Sequence, residues 1–177
     1  MGLEYRNLDD RTRKLMLVEI DGDIAASKLY LSDNLSDRGR QDYPELIREA
    51  AQRGNDDTLA AAIRGRLNSH EKPRRLKSGG FSKPPVMRSN AHEMLAEGEF
   101  NRFYIRALCV RAIEDGLSGL IVFRAKAVQN ARSASEQMIG QTMAPEALLN
   151  DLRNSPGVDT ALGLPPGPNS GLSAHLP

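Results

Sequence analysis

His92-Glu93 is how a zinc-protease helix begins: a second imidazole one turn on would complete the metal pair, and the glutamate would activate water. Position 96 is Ala, so the pair is not made. His70, His92 and His175 fall in segments of different character, and with Cys109 the only cysteine no closely spaced zinc set can be assembled. Ser118 leads into a strand, whereas an exposed nucleophile needs a sharp strand-to-helix turn. Gly79-Gly80 is not followed by a helix carrying Lys and Ser or Thr, as a phosphate-cradling loop requires, and Asp21-Gly22-Asp23 is too short for a calcium loop. The expectation is a protein that is not an enzyme and uses no cofactor or metal.

What remains is recognition chemistry. Lys72, Arg74, Arg75, Lys77, Lys83 and Arg88 stand against the single carboxylate of Glu71, so residues 70–89 are the most basic part of a chain whose overall net charge is only +1. Pro73, Gly79, Gly80, Pro84 and Pro85 break this stretch into short pieces, which predicts an irregular arm. Such an arm could lie on an acidic protein surface or on nucleic-acid phosphates, where binding would be strongly salt-dependent. It could equally be a linker kept solvated by its charge. Phe81 is its only aromatic residue, which is thin support for base stacking.

The elements that must position these residues can be read in outline. A chain of 177 residues suits one domain. The N-terminal part, 1–69, reads as helical: a helix capped near Asn7 to Asp10 and ending near Asp21-Gly22, an alternating strand over 27–32, a helix opened by Pro44 and stopped by Gly54, and a shorter one to about Leu67. Residues 90–154 share its core. There Asn90 to Glu93 reads as a capping box heading the longest helix, to Asp115, with Gly116 as its stop. That helix is apolar on two sides and therefore central, and its Arg102 and Arg106 require carboxylate or carbonyl partners, since a lone buried charge is too costly. Cys109, in its apolar stretch, reads as a buried structural thiol. The β-branched run 119–125 predicts a buried strand, Ser133 to Glu136 a short capped helix, and Pro145 a last helix with Leu148, Leu149 and Leu152 inward.

Residues 155–177 contain five of the ten prolines and four glycines, a composition that cannot be helix and makes a poor strand. The expectation is an extended tail that gains order by lying on a neighbouring molecule, with Leu164, Pro165, Pro166, Pro168, Leu172 and Leu176 as its contacts. The predicted fold class is α+β, mainly helical: a central long helix with shorter helices, one or two short strands and this tail. An N-terminus with no apolar signal core, and no run approaching a membrane span, predict synthesis in the cytoplasm and no membrane partner.

Three segments carry a resemblance: Ala96-Glu97-Gly98-Glu99-Phe100-Asn101-Arg102-Phe103-Tyr104-Ile105-Arg106, then Arg124-Ala125-Lys126-Ala127-Val128, then Gly163-Leu164-Pro165-Pro166-Gly167-Pro168-Asn169-Ser170-Gly171-Leu172-Ser173. Together they resemble a family of small proteins from the structural gene clusters of tailed phages and prophages. The resemblance implies a virion component near the capsid, portal or neck, made in the bacterial host cytoplasm, whose partners are other phage structural proteins and copies of itself. It brings no catalytic motif. A small nucleic-acid-binding or regulatory protein using the basic arm is the competing expectation.

Overall fold

The computed structural model describes residues 2–128, 133–157, 163–164 and 170–177. Its elements run α1 (Asp10–Ala25), α2 (Asp37–Arg53), α3 (Asp56–Ile63) with a 3-10 turn at Arg64–Arg66, α4 (Ala91–Glu114), β1 (Leu120–Arg124), α5 (Ser133–Met138), β2 (Thr142–Met143), α6 (Pro145–Asn154) and β3 (Leu172–His175). The fold is α+β and mainly helical, as the sequence predicts. No described helix is long and apolar enough to cross a membrane.

Helix α4 is the axis. Phe100, Phe103, Tyr104, Ile105 and Leu108 are all at most 1% exposed, because α1, α3 and α6 pack around it. Each such side chain contributes about 1.5–3 kcal/mol by leaving water. Segments 1–69 and 90–154 share one apolar core, from Met16 and Ile47 to Leu108 and Leu152. Tyr5 fixes the N-terminal strap by sitting edge-on to Phe100 and Tyr104, at 5.1 and 4.9 Å between ring centres.

The buried arginines of α4 find partners on other elements. Arg106 meets Glu19 and Asp23 of α1, each at 2.6 Å, and Arg153 of α6 reaches the other oxygen of Glu19 at 2.5 Å. Burial alone would raise the Glu19 carboxyl, but the two guanidiniums hold it below the ordinary range. Arg102 donates to the Ser155 carbonyl at 2.6 Å and lies 3.7 Å from Glu99. These contacts bind α1, α4 and α6 into one unit.

The sheet has the order β2-β1-β3, antiparallel throughout, with Val122 opposite Ala174 and Phe123 opposite Ser173. This corrects the expectation for the C-terminal tail. Leu164 and Leu172 are at most 1% exposed and Leu176 packs against the same core, so these three leucines are internal, not contacts for a neighbour. The reason lies in where the prolines are: residues 170–176 contain none, so the strand at Leu172–His175 has its amides free to pair with β1. Asn101 of α4 then donates to the Leu172 carbonyl at 2.9 Å and accepts from the Ser173 hydroxyl at 2.7 Å, while Asn7 accepts from the Leu176 amide at 2.9 Å. Gly171, at φ +65°, brings its backbone so near the Lys126 carbonyl that a Cβ would lie 2.4 Å from that oxygen. Pro165, Pro166 and Pro168 lie outside the described residues.

Other local expectations shift. Residues 27–32 form no strand: Leu29 and Leu31 do pack on the core, but the segment has no ladder partner. Helix α1 runs through Gly22 to Ala25. Helix α2 starts at Asp37, where the Ser36 hydroxyl accepts from the Gly39 amide at 3.1 Å, and Pro44 sits inside it instead of opening it. Asn90 makes no side-chain cap for α4; the capping box that does form is Asn55 with Thr58, at the head of α3.

Candidate functional site

The basic segment is a hairpin. Two short bridged pieces share one residue offset: His70 lies opposite Val86 and Arg75 opposite Phe81, with backbone bonds from Met87 N to Ser69 O, Glu71 N to Pro85 O, Ser82 N to Arg74 O and Leu76 N to Gly80 O, all 2.8–3.0 Å. Pro73, Pro84 and Pro85 lack amides and interrupt the ladder without breaking the register. The expected irregularity is there, since no named strand forms in this segment, and what the structure adds is that two isolated bridges fold it into a hairpin. The tip turns at Lys77-Ser78-Gly79, where Gly79 and Gly80 adopt φ of +88° and +80°, a backbone that glycine enters without strain.

The base of the hairpin is fastened. Glu71, 10% exposed at its side chain, accepts from Arg88 at 2.6 Å and from Arg74 at 3.5 Å; the Arg88 hydrogen bond holds its carboxyl below the ordinary range. Lys72 meets Asp33 at 2.8 Å, and the Asn68 amide donates to the Asp33 and Leu35 carbonyls. The six predicted cations therefore divide. Lys72, Arg74 and Arg88 are held by carboxylates, whereas Arg75, Lys77 and Lys83 form no ion pair among the described residues.

Exposed apolar side chains lie along the same ribbon. Phe81 is 71% exposed, Val86 73% and Leu76 45%, and Phe81 lies directly across the ribbon from Arg75. Sequence reasoning noted Phe81 and passed over Leu76 and Val86. The signal that could have found them is Ser78-Gly79-Gly80 between two short extended runs, which marks a hairpin and hence a two-faced ribbon.

The remaining chemical groups are closed in. Burial pushes the Cys109 thiol up to about 12 and the Glu99 carboxyl up to about 7. His70, His92 and His175 sit at the hairpin base, in the first turn of α4 and in β3. Among the described residues no group of three or more His, Cys, Asp or Glu is placed to hold a metal ion. A groove of about 340 Å³ between α2 and α3 is lined by Leu46, Ala50, Gly54, Thr58 and Ala62, with Glu49 and Arg53 at its rim engaged with each other at 2.5 Å. Compared with known protein families, curated proteins and solved structures, the chain matches none of them.

Proposed function

We propose that this chain is a structural component of a tailed-phage particle, associated with the capsid or the head-to-tail region, which docks through the projecting hairpin 69–87. The phage setting rests on the resemblance of the segments at 96–106, 124–128 and 163–173. The docking role rests on one observation: a ribbon fastened at its base presents Arg75, Lys77 and Lys83, unpaired among the described residues, together with exposed Leu76 and Phe81 near the turn and exposed Val86 at the base. Solvated cations and apolar groups on a proline-stiffened element lose little entropy when they meet a partner. The described C-terminal residues 170–177 are occupied by their own core.

The test is a chain in which residues 73–83 are replaced by Asn-Gly, closing Lys72 onto Pro84 with a two-residue turn in the existing register. The shortened chain should remain folded, and its occupancy in purified particles, counted by mass spectrometry, should fall to a small fraction of wild type. Wild-type occupancy would overturn the proposal.

A further inference from the structure

The geometry points to a specific partner for this element: we infer that the hairpin from Pro73 to Lys83 binds the phosphate backbone of duplex DNA. The inference rests on reading the hairpin as the docking element, though not on the phage setting. Arg75, Lys77 and Lys83 are the hairpin cations with no ion-pair partner among the described residues, Lys77 in the turn, Arg75 next to it and Lys83 midway along the opposite side. Two of the three are lysines, and the centres of protein–protein interfaces are depleted in lysine because its ammonium is strongly hydrated. Phosphates make no such demand, since a lysine can meet one as a point charge while still wet.

Shape agrees with charge. Between the outer bridge and the turn each side has about seven residues, which reach roughly 20 Å where extended at ~3.3 Å per residue. A two-stranded ribbon of this kind is what the major groove, about 12 Å wide, admits. With its base tied by Glu71 to Arg88 and by Lys72 to Asp33, the ribbon is a preset probe, so its cations lose little freedom on contact. Phe81, across from Arg75, supplies an apolar face of the sort that meets thymine methyl groups in that groove.

The experiment is fluorescence anisotropy of a labelled 20-base-pair duplex of mixed sequence with the full chain, from 50 to 200 mM salt. Three phosphate contacts give a slope of log K against log salt of about −2.7, an affinity loss of about 40-fold over that range. Arg75→Ala, Lys77→Ala and Lys83→Ala should each reduce the slope by about 0.9, and the triple variant should lose most of the binding, with its fold confirmed by circular dichroism. Phe81→Ala should weaken binding with the slope unchanged. Absence of binding at 50 mM salt, or a shallow slope that the triple variant leaves as it was, would overturn the inference. So would a poly-glutamate of equal charge competing as well as unlabelled duplex, which would assign the hairpin to an acidic protein. If DNA binding fails while the shortened chain still drops out of particles, only the DNA partner is lost and the docking proposal stands.

Discussion

The hairpin at 69–87 and the C-terminal segment at 170–177 look alike in sequence, since each lies in or next to a stretch rich in proline and glycine, and they end in opposite places. Within the C-terminal segment, Leu172, Ser173 and Ala174 are at most 1% exposed and paired with β1; in the hairpin, Phe81 and Val86 are more than 70% exposed. Two physical differences decide this. The proline-free run 170–176 offers an unbroken row of amides with leucines and alanine on its inner side, so burying it satisfies its backbone and removes apolar area from water. The hairpin's six cations would each need a partner if buried, and Glu71 alone cannot serve them. The prolines themselves decide nothing; what lies between them does.

The harshest way to break this comparison is to remove residues 170–177. That deletes Leu172 and Ala174 from the core, uncovers the edge of β1 and strips Asn101 of both partners, a loss comparable to the whole 5–15 kcal/mol that holds an ordinary domain together. The truncated chain should be unfolded by circular dichroism, and a cooperative melt at the wild-type temperature would show that the segment is not core. Arg106→Ala, which leaves Glu19 and Asp23 with a missing cation, should cost about 3–5 kcal/mol in urea denaturation. A cost below about 1 kcal/mol would mean that Arg153 and water suffice.

Glu99 sharpens the picture through pH. Burial raises its carboxyl from the ordinary 4.5 to about 7, against the pull of Arg102 and Arg106. Well below pH 4.5 it is protonated whether the chain is folded or not; as pH rises toward 7 the unfolded chain releases the proton and the folded one keeps it. Stability should therefore fall across that window, by about 3 kcal/mol in all. Glu99→Gln should remove most of this slope, and an unchanged urea midpoint difference between pH 5 and pH 7.5 in that variant would refute the assignment. At the small end, Phe81→Ser on the hairpin should change stability by less than about 0.5 kcal/mol. A larger loss would mean that the hairpin packs on the body.

What was legible in the sequence was local. The two-sided apolar pattern of α4, the β-branched run of β1, Pro145 opening α6 and Gly54 closing α2 each carry their cause within a few residues. Strands whose identity depends on a distant partner were not legible. Residues 27–32 alternate like a strand and have no ladder to join, while Leu172–His175 follows proline-rich sequence and finds β1. Caps show the same limit: Asn90 has the capping-box pattern with φ and ψ of −100° and 12°, outside the extended region a cap needs, whereas Asn55 caps with Thr58 where the pattern asks for an acid or amide. For the hairpin, the charge was evident and the ribbon was not, because prolines 73, 84 and 85 hide a register that only the remaining amides reveal.

Hydrogen exchange on the full chain, read by mass spectrometry, compares the two regions in one experiment. Peptides covering 172–175 should be protected as strongly as those covering β1 at 120–124, and peptides covering 74–82 should exchange faster than either by orders of magnitude. If 172–175 exchanged as fast as the hairpin tip, the C-terminal segment would not belong to the core, and the hairpin would lose its standing as the chain's free docking element.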